Sequence, residues 1–527
     1  MTDKTDGTPG LAVIPEPRQW QMLNGSFELN SATRMFVDEM LLDLGSLFID
    51  SISPALGFRP AMFFQVDDAE NTIYLHIDPG LTRLGPEGYR LVVGVHRVDA
   101  AAASPAGIFY ATQTLRQLLP VAIFNSTPVS EVKWVIPSVE IEDAPRFSWR
   151  GALLDVGRHF MPKEFVLRFI DLLALHKMNI FHWHLTDDQG WRMEIKKYPR
   201  LTEVGAWRKE TLVGHARDSA QGKEFDGMPH GGYYTQDEIR EVVAFARRRF
   251  VTIVPEIEMP GHTQAAIAAY PELGNAPQPL EVSPTWGISP HVCNLDESTI
   301  LFMQAVLGEA LELFPGQYIH IGGDEVLVDE WCASAKAQKR LKELGLSDEA
   351  GLQSYFLQRM DKFLAEHGRK LVGWDEILDD DLSQNATVTS WRCNGSDVAA
   401  ANAGRDVIVA SEQDLYLDHY QLQDSQKQPL AFGGYTPLSR VYQFEPVSKE
   451  IVVEKRRHIL GLQAQLWSEY IPTPSQMEYM AFPRLCALAE TAWTNPERKD
   501  YSGFLRRLLL HKHRLAGLKV NYCEEIE

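Results

Sequence analysis

Cysteine is scarce in this chain, long apolar runs are missing, and basic charge is in deficit. Each shortage closes off a class of protein. The five cysteines among 527 residues (Cys293, Cys332, Cys393, Cys486 and Cys523) are odd in number, scattered, and never spaced as CxxC. They read as reduced thiols buried as small apolar side chains, which argues against a disulfide framework or a cysteine-rich zinc site. No stretch approaches the roughly 18 consecutive apolar residues that a membrane-spanning helix needs. The opening MTDKTDGTPGLAVIPEPRQW is polar and proline-bearing, without the basic and apolar blocks of a leader, so a cytoplasmic location is expected. A net charge of −20 argues against nucleic acid or anionic membrane as a partner and leaves a neutral ligand open.

What remains is ordinary globular composition, 45% hydrophobic and 23% charged, with length for two or three domains. Residues 1–143 alternate short β-rich stretches (MFFQVDD, TIYLHID, YRLVVGVHRVDA) with turns. They include one helical segment, SPAGIFYATQTLRQLLP, with Ser104 as its N-cap. This predicts a small α+β domain whose dispersed carboxylates, His76 and His96 serve packing. The proline-flanked EDAPRFSW marks a boundary.

From residue 144 to 496 the pattern becomes strand, loop, helix, repeated. Eight β-like segments stand at 150–158, 178–188, 252–261, 317–325, 370–377, 387–392, 406–412 and 460–469. Amphipathic helices such as MPKEFVLRFIDLLALHK and TQDEIREVVAFARRRF lie between several of them. This predicts an α/β fold, a (β/α)8 TIM barrel, with a doubly wound open sheet as the alternative. The barrel is favoured because chemistry-bearing residues collect at the C-terminal ends of many segments: Arg158, Asp187, His262, Asp324 with Glu325, Trp374, Trp391 and Glu469. Barrel enzymes build their sites at that end. Residues 413–459 read as a long irregular connection, and 497–527 as a C-terminal helix packed on the barrel.

The stretch QYIHIGGDEV (317–326) is the sharpest signal. Successive side chains of a strand point to opposite faces, so Asp324 and Glu325 should not share a site. The preceding Gly322 and Gly323 permit a bend that lets both lean into the barrel mouth. Two close carboxylates resist joint ionisation, so one can hold a proton near neutrality and act as a general acid. Two-carboxylate glycosidases place their acids on either side of the sugar, about 5 Å or more apart, which neighbours in sequence do not fit.

Eight motifs in order, RGALLDVGRHF, FHWHLTDDQGWR, PEIEMPGH, HIGGDE, GWDE, SWR, YLD and LWSE, resemble the β-N-acetylhexosaminidases of glycoside hydrolase family 20 over essentially the whole chain. The resemblance implies an exo-acting, retaining enzyme that releases terminal N-acetylhexosamine through an oxazolinium-type intermediate formed by the substrate's own acetamido group. It implies Glu325 as general acid/base, Asp324 as the residue orienting the acetamido nitrogen, and Tyr416 as donor to the acetamido oxygen. Trp374, Trp391 and Trp467 would enclose the acetamido methyl and floor the sugar. Arg158, Asp418 and Glu469 would meet the sugar hydroxyls, and Asp187 and His262 would tune the acids. Trp331 is a candidate platform for the leaving sugar, with packing as the other reading. The implied partner is an amino-sugar glycoside (a chito-oligosaccharide, glycan or glycolipid), and no cofactor or metal is implied. A metal-dependent hydrolase is the runner-up, on His182, His184, His262 and His320. A non-catalytic sugar-binding protein is the third reading.

Overall fold

The computed structural model describes residues 11–64, 70–221, 223–275, 278–379 and 382–527. The chain divides into two compact units, one of 1–146, 174–177 and 485–523, the other of 147–173, 178–484 and 524–527.

The first unit is built on a seven-stranded mixed sheet, in the order Gln19–Glu28, Val135–Asp143, Tyr89–Val93, Arg97–Ala102, Thr72–Ile77, Arg34–Val37, Ala61–Phe63. The strand expected over MFFQVDD is seen at Ala61–Phe63, and residues 65–69 lie outside the described residues. The helix Pro105–Leu118 starts as its sequence predicts: Ser104 accepts from the Ala106 amide, and Pro105 sits where no intrahelical donor is needed. The C-terminal helix Tyr501–Gly517 groups with this unit, together with 174–177 and 485–500. Arg514 donates from Nη2 to the carbonyls of Ala12 and Gln117 at 2.6 and 2.8 Å. Arg507 pairs with Glu490 and Glu16. An arginine that ties one helix to another and to a loop is hard to read from a pattern that shows only an apolar stripe.

Cys486, His176 and His511 converge in this unit, each almost wholly buried. Arg514 lies 3.4 Å from His511 Nδ1, which assigns that nitrogen as acceptor, so His511 Nε2 donates to His176 Nε2 at 2.9 Å. The cluster is closed by hydrogen bonds. Of the five cysteines, Cys293, Cys486 and Cys523 are buried as expected, whereas Cys332 and Cys393 are exposed.

The second unit holds a closed, eight-stranded parallel barrel: β1 Trp149–Asp155, β2 Ile180–His184, β3 Thr252–Glu256, β4 Tyr318–His320, β5 Lys370–Trp374, β6 Thr387–Ser390, β7 Val407–Val409 and β8 Ile459–Leu466. Each corresponds to one of the eight segments read from sequence. Closure decides against the open sheet, because β1 pairs on one side with β2 (Gly151 with Ile180) and on the other with β8 (Gly461 with Trp149). The strands are shorter than the apolar segments suggest. β1 stops at Asp155 and β4 at His320, so Arg158, Asp324 and Glu325 lie on loops just past the strand ends. The helix Gln236–Arg247 is set by a capping box between Thr235 and Glu238, as its sequence predicts.

Inward-facing residues alternate along the strands and fill the lumen in layers. The lowest is apolar, with Trp149, Ile180, Val254, Val372 and Ile408. The next layers are polar. His182 Nε2 lies 2.9 Å and His320 Nδ1 2.7 Å from Glu256, and above them His184 sits between Asp155 (3.0 Å) and Glu258 (3.2 Å). Buried charges persist only where opposite charges and hydrogen bonds offset their lost hydration.

Candidate active site

A cavity of about 250 Å³ opens at the C-terminal mouth of the barrel. Its wall contains Arg158, His262, Asp324, Glu325, Trp374, Trp391, Tyr416, Asp418, Trp467 and Glu469. Of the predicted site residues only Asp187 stands behind it, with its side chain fully buried.

The puzzle of the adjacent acids is resolved by backbone geometry. Beyond β4 the chain takes positive φ at Gly322 (68°), Gly323 (88°) and Glu325 (50°). Three left-handed residues within four positions break the strand's alternation, so both carboxylates turn toward the same space. Gly322 is required twice over: a Cβ there would stand 1.6 Å from Glu258 Oε2. His262, on the loop after β3, also has positive φ (49°) and reaches both acids, its Nε2 being 3.3 Å from Glu325 Oε2 and 3.7 Å from Asp324 Oδ2.

Behind His262 runs a chain of alternating charge. His262 Nδ1 is 3.4 Å from Asp187 Oδ1 and 3.4 Å from Asp188 Oδ2, and Asp187 Oδ2 is 2.9 Å from Arg158 Nη2. Burial alone would lower the His262 pKa, but Asp187, with Asp188 and Glu325, carries it well above the ordinary histidine value. Burial likewise opposes ionised Asp187, yet Arg158 and His262 hold its pKa below the usual carboxylate value. Asp187 therefore connects the cavity-facing Arg158 to the imidazolium without touching the cavity.

Asp324 has the opposite fate. Burial, then the charge of Glu258, raises its pKa well above the ordinary value, with Glu325 and Glu376 adding and His262 opposing. Its Oδ1 is buried without a hydrogen-bond partner. An acceptor left unsatisfied in this way is costly unless a ligand supplies the donor. Asp418 repeats the pattern: burial and the neighbouring Glu469 raise it well above the usual range, and its Oδ1 also lacks a partner. Arg158 faces Glu469 at 3.9 Å and lies 5.0 Å over the Trp467 ring.

The remaining wall is aromatic. Trp374 and Trp467 rings are 5.6 Å apart, Trp391 stacks near Tyr416 at 6.2 Å, and Leu153 and Ala410 pack beneath them. Trp374 Nε1 donates to Glu256 Oε1 at 2.8 Å and Trp391 Nε1 to Glu376 Oε2 at 3.2 Å. Burial pushes the Tyr416 hydroxyl well above its ordinary value, so it is a donor at any physiological pH.

Trp331 takes the second of its two readings, packing. It is completely buried, its Nε1 donates to the Cys293 carbonyl at 2.9 Å, and it packs inside the protein away from the cavity. Three of the four histidines of the metal reading, His182, His184 and His320, lie in the barrel lumen beneath the cavity, engaged with Asp155, Glu256 and Glu258. His262 stands apart from them at the mouth.

Sequence reasoning missed Glu258, Glu376, Glu412, Phe432 and Ile288, which also contribute to or adjoin the wall. Glu258 had a legible signal, since its spacing of two from Glu256 continues the lumen side of β3 just past the strand's end. Phe432 and Ile288 come from irregular loops and carry no such periodicity.

Replacing Gly322 by alanine combines left-handed strain of about 1–2 kcal/mol with displacement of Glu258. Urea denaturation of Gly322→Ala should show a loss of about 1–3 kcal/mol. Wild-type stability in this variant would contradict the close-approach geometry.

Comparison with known proteins agrees with this arrangement. Residues 147–496 match the glycosyl hydrolase family 20 catalytic domain, and 10–144 match domain 2 of the same family. A Porphyromonas gingivalis beta-hexosaminidase is 43% identical over 97% of this chain, which spans 64% of that relative's length. A Cellulomonas fimi beta-N-acetylhexosaminidase is 32% identical over 95% of this chain and 94% of its own. A mutant Streptomyces plicatus beta-hexosaminidase, solved in complex with product GlcNAc, superposes with a TM-score of 0.84 at 31% identity, covering 98% of this chain and 97% of its own. The chain belongs to glycosyl hydrolase family 20.

Proposed function

We propose that the protein is an exo-acting, retaining β-N-acetylhexosaminidase that cleaves terminal N-acetylhexosamine by substrate-assisted catalysis. One observation carries the reading: a partly buried aspartate with a buried, unpartnered oxygen stands beside a half-open glutamate, at the edge of a cavity walled by three indoles.

The indoles enclose the acetamido methyl and offer flat faces to the sugar's C–H groups. Asp324 accepts the acetamido N–H and Tyr416 donates to its carbonyl, which fixes that oxygen beneath the anomeric carbon. The oxygen attacks, the glycosidic bond breaks, and Glu325 gives its proton to the leaving oxygen. The resulting oxazolinium cation faces the Asp324 carboxylate in a water-poor site, where the attraction is stronger than in bulk water. Water then adds at the anomeric carbon as Glu325 takes its proton, and two inversions give retention. Arg158, Asp418 and Glu469 engage the hydroxyls at the non-reducing end, leaving no path for a further sugar there. This is the basis for exo action.

The relatives' activities support the amino-sugar assignment.

Binding should move a proton. The free protein holds a proton on Asp324 to higher pH than an ordinary aspartate. An acetamido N–H favours the anion and lowers that pKa. N-acetylhexosamine binding should therefore release a proton and strengthen as pH rises between the bound and free pKa values, levelling off above the free one. Titration calorimetry in buffers of different ionisation heat measures this, and proton uptake would contradict it.

The two acids should fail differently. Glu325→Gln should lose about 10²–10⁴-fold in kcat on glycosides with poor leaving groups and be partly spared on aryl glycosides that need little protonation. Asp324→Asn should spare neither class, because the cation loses its counter-charge whatever departs. Steady-state kinetics on both substrate types decides, and equal losses for Glu325→Gln across leaving groups would sink the assignment of Glu325 as the acid.

A further inference from the structure

Two of the three indoles around the cavity have their N–H edge tied to a carboxylate. For Trp374 the acceptor is Glu256, deep in the lumen. For Trp391 it is Glu376, on the loop after β5, with its side chain 17% exposed. Trp391 is the first residue past β6 and is only partly buried, so packing leaves its ring freer than that of Trp374, which is 1% exposed. The Glu376 backbone is well anchored. The preceding Asp375 is fully buried and accepts from Ser390, Ser396 and the Arg392 Nε at 2.7 Å. Arg392 also faces Glu376 Oε1 at 3.8 Å. The dipeptide 375–376 thus links the end of β5 to the segment 390–392, with Asp375 gripping the backbone's neighbours and Glu376 gripping the indole.

We infer that Glu376 is a positioning residue for the reaction: it fixes the rotation of the Trp391 indole, and so sets the width of the pocket that encloses the acyl group. The inference rests on the function proposed above. A carboxylate suits the task because its ionised form holds an N–H more strongly than a neutral acceptor does; burial pushes the Glu376 pKa up to about 7, against which the Trp391 N–H and Arg392 favour the ionised form. Without it, the ring is free to turn about its own side-chain torsions and the pocket widens. A wider pocket accepts larger acyl groups and holds the acetamido oxygen less well for attack, since misplacement of the reacting atoms is expensive in rate.

The test compares aryl N-acetyl- and N-propionyl-glucosaminides as substrates for wild type, Glu376→Ala, Glu376→Gln, Trp391→Phe and the Glu376→Ala/Trp391→Phe pair. Wild type should prefer N-acetyl strongly. Glu376→Ala should lose roughly tenfold in kcat/KM on N-acetyl, mainly in kcat, and relax the acyl preference. Glu376→Gln, which keeps an acceptor, should restore most of both. In the Trp391→Phe background, where no N–H remains, Glu376→Ala should cost nothing further, because the two residues act through one interaction. Additive losses in the double variant, or an unchanged acyl preference in Glu376→Ala with wild-type discrimination intact, would overturn the inference. Failure of the wild type to hydrolyse either substrate would instead overturn the proposed function. A loss of fold in Glu376→Ala would lower both substrates alike and leave the acyl ratio unchanged, so the ratio separates positioning from stability.

Discussion

The site depends on how buried carboxylates at the barrel mouth are neutralised. Arg158 and His262 are two cations placed there, and Asp187 sits between them, 2.9 Å from one and 3.4 Å from the other. That arrangement consumes the charge of Arg158 on one face and leaves His262 directed at the acid pair. A carboxylate that loses such a partner in a buried site either gives up its charge or destabilises the fold.

The consequence is a division among the acids. Those with fixed cationic partners, Asp155, Asp187 and Glu256, are held below the ordinary carboxylate range and serve as framework. Those for which burial and neighbouring like charge outweigh the nearest cation, Asp324 and Asp418, are raised well above it and face the cavity. Glu258 is intermediate, pushed up to about 7 by burial and the charge of Glu256, and it stands against Gly322 where the acid loop turns. The lumen network beneath is therefore part of the chemistry above it: it fixes which acids are charged before any ligand arrives. In the proposed function, Asp324 and Asp418 take up an amide N–H and a hydroxyl of the amino sugar.

Much of this was legible in the sequence, for reasons that can be named. The eight barrel strands were readable because buried parallel strands are continuous apolar runs, and the polar residue ending each run marks the mouth. The acid pair was readable because two glycines before adjacent carboxylates have little purpose in a strand except to bend it. Asp187 was found by its motif, but its place behind the wall was not, since strand-end position does not say whether a side chain reaches the cavity or a neighbour. Trp331 is close to the acids in sequence, which leaves platform and packing both open, and the indole turns inward to the Cys293 carbonyl. Glu376 lies inside the GWDE motif, but its contact with the Trp391 N–H is visible only in the structure.

The central claim is that the nucleophile belongs to the substrate and that Asp324 and Tyr416 serve to aim it. It is tested most directly by weakening that nucleophile alone. In a series of aryl glucosaminides carrying acetyl, monofluoroacetyl, difluoroacetyl and trifluoroacetyl groups, the leaving group is constant while the carbonyl oxygen becomes progressively less basic. The account predicts that kcat/KM falls steeply with every fluorine added. A flat series, with turnover indifferent to the acyl oxygen, would mean that a protein carboxylate or water makes the first attack, and would contradict it.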